Sequence, residues 1–312
     1  MSNMMLSICV PTYNHEKYIE KALKSILMQK TKYSYEVLIG DDLSKDRTRN
    51  ILREYEKKNP NTFYVYYREH NMNNQCPNNG LDLLLRAKGK YVIMLEGDDF
   101  WTDETKIERQ INFLEEHSEY LAIAHNCIVV GGDSLPNGEK YPECQELEYT
   151  IKHFMSDILP GQLATVMYRN FYLDKSLDIS LISKGLWPGD RLLYFFLITN
   201  GRIYCEQHIM SAYRHITDSG TSYSANYQYN YKKSCEYYLE ILKYSYKIND
   251  CNVIKCAEIL FVSCLIYGYK IKQCNKKELL QNMKYIKHRY KAVYFYLIYK
   301  FNKNILCSKF WI

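Results

Sequence analysis

Short apolar strands alternate with amphipathic helices over the first 130 residues, and this alternation constrains the fold more than any other feature. The predicted strands are Leu6–Pro11, Tyr35–Asp41, Phe63–Arg68, Tyr91–Leu95 and Leu121–Val130. The predicted helices are Ile19–Gln29, Asp46–Lys58, Leu81–Ala87 and Thr102–His117, the last capped by Thr102. This alternation predicts an α/β fold with a mostly parallel sheet covered by helices.

The pattern changes twice in the second half of the chain. A polar segment at Gly131–Tyr149 predicts a loop, and the elements predicted after it are a strand, a helix and a strand at Gln162–Tyr168, Asp190–Ile198 and Gly201–Glu206. From about Asn226 only helices are predicted. We therefore expect an α/β domain over residues 1–224 and a helical, basic, tyrosine-rich region over residues 225–312.

Composition excludes several classes of protein. Hydrophobic residues make up 47% and charged residues 24% of the 312 positions, which excludes a disordered chain. The longest apolar runs, such as Ile259–Tyr267, fall well short of the roughly 20 residues of a membrane-spanning helix. No basic and then apolar leader precedes Ser7, so we expect a cytoplasmic protein. Eleven cysteines without a C-x-x-C pair argue against a disulfide framework or a structural zinc site.

Positive charge is concentrated at the end of the chain. The segment Lys270–Ile312 carries eleven Lys or Arg and one acid, a net charge of +10, so the preceding residues carry −4. Basic residues interleaved with aromatic ones suit an anionic membrane surface, RNA, or a helical bundle with a solvated basic face. We expect no nucleic-acid partner, and the membrane and bundle interpretations stay open.

Acidic and polar residues follow three of the predicted strands. The first strand runs into Val10–Asn14, the second into Gly40–Asp46 and the fourth into Glu96–Trp101. Ligands of open parallel sheets bind beyond the carboxyl ends of strands, and clustered carboxylates there favour a divalent cation. The second segment could instead cap the next helix, and Glu96–Asp99 could be a solvated turn.

Four motifs in this order resemble the family 2 glycosyltransferases, enzymes of the GT-A fold that use nucleotide-sugars. The resemblance covers about residues 5–222 and rests on the segments Leu6–Asn14, Ala22–Gln29, Leu38–Thr48 and Leu95–Trp101. The third resembles the family's D-D-x-S-x-D-x-T segment, and the fourth lies where its D-x-D-type motif falls. Two residues depart from the pattern, since Glu96 replaces the usual Asp and Leu43 a common Gly.

The resemblance implies a role for each residue of the donor half. Asp99 would bind Mn²⁺ or Mg²⁺, while Asp98 and Glu96 would contact the ribose or the waters of the metal ion. Asp42 would accept a hydrogen bond from the base. The nucleotide pocket would be lined by Pro11, Thr12 and Asn14.

The acceptor half carries two further family-like segments. Trp187–Leu192 resembles the segment with the catalytic base, which would be Asp190, although this residue could also cap the following helix. Met210–His215 with Gly220–Ser222 resembles a block in which the histidine can bind the metal. His215 could equally be a surface or packing residue, and Arg214 could contact the diphosphate.

These features predict an inverting, metal-dependent glycosyltransferase of the hexosyl-transferring type. It would move a sugar from a nucleotide-sugar, UDP-linked by resemblance, to a hydroxyl of a glycan or lipid-linked acceptor in surface polysaccharide synthesis. On the membrane interpretation, the basic end would place this cytoplasmic protein at the inner face of the cell membrane. The alternative is a GT-A-fold protein that binds nucleotide-sugars or glycans without catalysis. A phospho-acceptor receiver domain is excluded because the chain is too long and Glu96–Asp99 has no place in that scheme.

Overall fold

The computed structural model describes residues 4–72, 76–173, 177–186, 189–216 and 228–289, together with residues 291, 293 and 296. The strands within these ranges are β1 (Leu6–Thr12), β2 (Tyr35–Asp41), β3 (Phe63–Tyr67), β4 (Tyr91–Met94), β5 (Phe100–Trp101), β6 (Tyr120–Val130), β7 (Glu148–Tyr149), β8 (Met167–Arg169) and β9 (Arg202–Arg214). They form one mixed sheet in the order β3-β2-β1-β4-β8-β6-β9-β5, and β7 pairs with β9.

Helices cover both faces of this sheet. They are α1 (Ile19–Leu27), α2 (Thr48–Lys58), α3 (Asn79–Arg86), α4 (Lys106–Glu116), α5 (Ile151–Met155), α6 (Gly189–Asn200), α7 (Tyr231–Ile248), α8 (Cys251–Lys270) and α9 (Lys276–Asn282). Because side chains alternate along a strand, β1 buries Leu6, Ile8 and Val10 with α1 and α4, and it turns Cys9 toward the opposite core. The sheet is therefore buried on both faces, as predicted.

Parallel pairing brings three strand ends to one edge. β1 pairs with β2 from Leu6 opposite Tyr35 to Thr12 opposite Asp41, and β4 runs parallel to β1 on its other side. The segments that follow these strands consequently meet at the same edge of the sheet. This edge is where the sequence placed the acidic residues.

The C-terminal helices share a hydrophobic core with the α/β part. Tyr244 of α7 and Phe261 of α8 belong to the same cluster of buried residues as Phe196 of α6. The predicted domain boundary between residues 224 and 225 lies outside the described residues. Within the described part of the chain, α8 is the one helix long and apolar enough to cross a membrane, with mean hydropathy 1.6, and 61% of that stretch is buried inside the protein.

Three local predictions differ from the structure. Gln162–Tyr168 was predicted as a strand, but a 3₁₀ turn at Leu163–Thr165 replaces most of it because the Gln162 side chain accepts a hydrogen bond from the Ala164 N–H. β9 extends eight residues beyond Glu206. α4 begins at Lys106, since Asp103 accepts hydrogen bonds from both the N–H and the hydroxyl of Thr105.

The packing of α7 against α8 depends on a glycine. A Cβ added at Gly268 would lie 2.1 Å from the Tyr231 ring, which is buried. We expect Gly268→Ala to lower the free energy of unfolding by about 1–3 kcal/mol, because the ring must shift and overpacking outweighs the better helix propensity of alanine. Chemical denaturation measures this change. Gly132→Ala, whose Cβ would have no neighbour closer than 3.7 Å, is the control and should be nearly neutral.

Candidate active site

The loops that follow β1 and β2 are hydrogen-bonded to each other. The Asn14 N–H donates to the Ser44 hydroxyl at 2.9 Å, and the Asn14 side-chain oxygen accepts from the Lys45 N–H at 2.8 Å. Asn14 adopts a positive φ of 56°, which asparagine tolerates better than most residues. The structure therefore places Asn14 at the edge of the site as a link between the two loops, with its side-chain oxygen already bonded.

Three carboxylates cluster after β4. Glu96, Asp98 and Asp99 each offer an oxygen atom within 4.8 Å of the others. Burial raises the pKa of Glu96 to about 8, to which the charges of Asp98 and Asp190 contribute. Burial, followed by the charges of Asp98 and Glu96, also raises the pKa of Asp99 well above its usual range. The three groups repel one another, so a cation bound between them would remove an electrostatic penalty.

Asp99 is the most firmly held of the three. It is buried, and its two oxygens accept hydrogen bonds from the Gln162 amide at 2.8 Å and from the Arg214 N–H at 2.7 Å. The Asp98 side chain is 27% exposed, and its Oδ2 lies 3.8 Å from Nε2 of His15. Asp98 is thus the more accessible carboxylate, although the resemblance assigned the metal to Asp99.

Two buried polar atoms beside this cluster have no hydrogen-bond partner within the described part of the chain. They are Thr12 Oγ1 and His15 Nδ1. A Cβ added at Gly97 would come within 2.7 Å and 2.8 Å of these atoms, so only glycine fits between them. Buried polar atoms without partners are costly, and a bound polar ligand would satisfy them. Thr12 and Pro11, at the end of β1, lie at the predicted nucleotide pocket.

Asp42 lies at the end of β2 on the same edge. Its backbone N–H donates to the Thr12 carbonyl at 2.9 Å, and its Oδ1 accepts from the Met72 N–H at 2.7 Å. Burial raises its pKa. Asp42 therefore lies beside the loop that follows β1, and the bond to Met72 fixes the carboxylate.

Arg214 is bonded to the segments around the acidic cluster. Its guanidinium donates to the carbonyls of Asp98 at 2.9 Å and Gly131 at 2.6 Å and to the Ser134 hydroxyl at 2.9 Å. It also lies 4.2 Å from the centre of the Tyr18 ring, and the residue is 4% exposed. Three of its five N–H donors bond the protein, so Arg214 positions the acidic segment, and its contact with the diphosphate stays a prediction.

His215 lies next to Arg214 but does not belong to the cluster of three potential metal ligands, Glu96, Asp98 and Asp99, found in the described ranges. Its Nδ1 pairs with the Glu139 carboxylate at 2.5 Å. The Gly220–Ser222 part of the same motif falls outside the described residues. The metal-binding role of His215 remains a proposal.

Asp190 reaches the cluster from another element. It is the second residue of α6, and its Oδ1 accepts from the Arg191 N–H at 2.7 Å, while Trp187 and Pro188 lie outside the described residues. Its charge contributes to the raised pKa of Glu96, so the two carboxylates are near enough to interact electrostatically. Burial raises the pKa of Asp190 itself. α6 thus presents a carboxyl group to the acidic end of β4.

Sequence reasoning missed three residues of this site. Gln162 bonds Asp99, and nothing in its sequence context indicates this contact. His15 follows the β1 motif directly and could have been included in it. Tyr194 lies four residues after Asp190 on α6, a spacing that places the two on one helix face, and its buried hydroxyl lacks a partner among the described residues.

The Arg214 contacts can be tested by substitution. We expect Arg214→Lys to lower the free energy of unfolding by about 1.5–3 kcal/mol, because lysine cannot replace the fork of bonds to Asp98, Gly131 and Ser134. Thermal denaturation without nucleotide measures this effect. A variant that keeps its stability and loses only UDP affinity would restore the diphosphate role.

Comparisons with known proteins agree with this geometry. The sequence profile described as "Glycosyl transferase family 2" matches residues 7–177. An uncharacterized protein of Mycobacterium tuberculosis is 36% identical over 67% of this chain and 58% of its own length. The poly(ribitol-phosphate) beta-N-acetylglucosaminyltransferase TarS of Staphylococcus aureus is 29% identical over 56% of this chain and 30% of its own length. The chain thus spans little more than half the length of the mycobacterial relative.

Solved structures share the fold. TarS residues 1–349 in complex with UDP-GlcNAc superpose with a TM-score of 0.63 at 21% identity, covering 93% of this chain and 82% of that one. A Pyrobaculum calidifontis mannosyltransferase in complex with GDP-Man and Mn²⁺ gives a TM-score of 0.50 at 14% identity, covering 97% of this chain and 88% of that one. The expected GT-A fold with a helical C-terminal region is confirmed, and the chain belongs to glycosyltransferase family 2.

Proposed function

We propose that this protein transfers a sugar from a nucleotide-sugar to a hydroxyl group, with inversion at the anomeric carbon. The observation that carries the proposal is the meeting of the Glu96, Asp98 and Asp99 carboxylates with Asp190 at the edge where β1, β2 and β4 end. Family membership supports the reaction class.

The acidic cluster fits a divalent cation. Carboxylate oxygens within 4.8 Å of one another are hard ligands of the kind that Mn²⁺ and Mg²⁺ prefer. The raised pKa values of Glu96 and Asp99 show that their ionised forms are unfavourable without a counter-charge. Asp98, the accessible carboxylate, would bind the ion directly. Glu96 and Asp99 would supply further negative charge around it, and His215 would be an additional ligand. Such an ion would stabilise the charge that develops on the departing diphosphate.

The nucleotide would occupy the neighbouring strand ends. Asp42 is held by Met72 in a position to accept a hydrogen bond from the base. Thr12 Oγ1 and His15 Nδ1 lack partners and would bond the ligand. Pro11 would form part of the pocket wall, and Asn14 would keep its loop in place. We propose UDP as the nucleotide on the resemblance of the Asp42 segment to uridine-binding relatives.

Asp190 would act as the base of an in-line displacement. The acceptor hydroxyl loses its proton to this carboxylate as its oxygen attacks the anomeric carbon, and the bond to the phosphate breaks on the opposite side. One carboxylate suffices, because the diphosphate leaves without needing a proton.

The acceptor would be a glycan or a lipid-linked saccharide of surface polysaccharide synthesis, met at the inner face of the cell membrane. The name of one relative, the poly(ribitol-phosphate) beta-N-acetylglucosaminyltransferase TarS, refers to the polymer poly(ribitol-phosphate). The alternative, a binding protein without catalysis, is disfavoured because the acidic cluster and Asp190 are all present.

One experiment distinguishes the role of Asp98 from the role of Asp99. We expect Asp98→Asn to abolish the rise in melting temperature caused by Mn²⁺ with UDP and to leave the ligand-free protein as stable as before. Asp99→Asn should lower the free energy of unfolding by about 1–3 kcal/mol, since its amide cannot accept from both Gln162 and Arg214. An Asp99→Asn variant that keeps its stability but not its Mn²⁺ response would make Asp99 the direct ligand.

The catalytic proposal is tested at Asp190. We expect Asp190→Asn to reduce transfer from a UDP-sugar by about 10²–10⁴-fold, while binding of UDP with Mn²⁺ stays unchanged. Release of UDP from a panel of UDP-sugars measures the rate. Glu116→Gln, on the exposed end of α4, removes the same charge away from the site and should be silent. No UDP release by the unaltered protein with any donor and Mn²⁺ would favour the binding-protein alternative.

A further inference from the structure

A surface rich in basic residues lies at the C-terminal end of the described chain. Its residues, which we call the C-terminal basic face, are Lys270, Lys272, Lys276, Lys277, Lys284, Lys287, Arg289 and Lys291. All eight are exposed, and Glu278 is the one acid between the first and the last of them. Among the described residues, no carboxylate forms an ion pair with any of the eight.

Seven lysines elsewhere in the described part of the chain form ion pairs with acidic residues. Lys24 pairs with Glu20, Lys30 with Glu104 and Lys90 with Glu115, among others. The C-terminal basic face differs from these sites because its eight basic residues have a single acid, Glu278, among them. Like charges held close together repel one another, and an anionic partner would remove this repulsion.

Apolar side chains are exposed on the same surface. Leu280 is 54% exposed, Tyr285 50% and Tyr269 48%. Leu280 and Tyr285 line an open groove of about 1000 Å³ whose other walls are Lys276, Lys277, Gln281 and Lys284. Ammonium groups and apolar side chains thus share one concave surface.

We propose that the C-terminal basic face docks on an anionic phospholipid bilayer, with lipid phosphates held by the lysines of the groove and Leu280 and Tyr285 entering the interface. Lysine stems can lie along apolar surface while their charged ends meet the headgroups. A soluble polyanion would satisfy the charges but would gain nothing from Leu280, so the combination favours a bilayer. This inference concerns a surface that the proposed reaction does not use, and it extends that proposal by naming a partner.

The helix that precedes this face is suited to a peripheral contact. α8 is mostly buried against the rest of the protein, and the basic face begins at its last residue. Docking would therefore bring a folded surface to the membrane without moving the helix. Attraction of this kind is screened by salt, whereas the apolar part is not.

Vesicle binding by the full-length protein tests the proposal. The probe is a vesicle of phosphatidylcholine and phosphatidylglycerol in equal parts, with pure phosphatidylcholine as reference. We expect the triple variant Lys276→Gln, Lys277→Gln, Lys284→Gln to bind the anionic vesicle about 100-fold more weakly, at about fivefold per charge. The matched control Lys24→Gln, Lys30→Gln, Lys90→Gln removes three paired charges and should stay within about twofold of the unaltered protein.

A second variant isolates the apolar contribution. Leu280→Ser keeps every charge and should weaken binding to the anionic vesicle, most visibly in high salt, while binding of a soluble polyphosphate stays the same. The proposal fails if the full-length protein ignores anionic vesicles at low salt or if both triple variants bind equally well. It also fails if Leu280→Ser has no effect and polyphosphate binds as tightly as vesicles. UDP and Mn²⁺ binding, measured on the same variants, should not change, so this failure is distinct from failure of the proposed reaction.

Discussion

The Asp99 carboxylate joins separate parts of the chain at the acidic cluster. Its two oxygens bond Gln162, which precedes β8, and the backbone N–H of Arg214, the last residue of β9. Arg214 in turn bonds the carbonyls of Asp98 and Gly131, the latter just after β6. The cluster after β4 is therefore held by strands that lie far away in sequence. These bonds help to hold the carboxylates in place against their mutual repulsion.

The arrangement places charge where it is unfavourable for the unliganded protein. Burial and mutual repulsion raise the pKa of Glu96 and of Asp99, which means that folding disfavours their ionised forms. Arg214 offsets part of this cost for Asp99. The remaining excess of negative charge lowers the stability of the unliganded protein. A cation and a diphosphate would occupy this site together. Perturbed pKa values of this kind are typical of functional sites.

Local patterns in the sequence were sufficient for the strands that lead to the site. β2 has the predicted bounds, because a β-branched run followed by Asp-Asp and a polar turn is a local signal. The 3₁₀ turn at Leu163–Thr165 was missed because its cause is one side-chain bond from Gln162. The role of Arg214 was also beyond the sequence, since its partners come from loops that only the folded sheet brings together. The order of the motifs predicted that the acidic residues meet at one edge of the sheet. It could not distinguish a side chain that binds a ligand from one that holds its neighbours in place.

The C-terminal helices contribute to the site through α6. Phe196 on the inner side of α6 shares a core with Tyr244 and Phe261 of α7 and α8, and Arg191 forms an ion pair with Asp157 after α5. Residues Leu192 to Leu197 of α6 are all buried, so close packing holds the helix that carries Asp190. The C-terminal basic face begins at Lys270, the last residue of α8. A shared hydrophobic core thus connects the helix of the proposed base with the helix that leads to the proposed membrane contact, and the orientation of the docked surface would determine from which side an acceptor can approach Asp190.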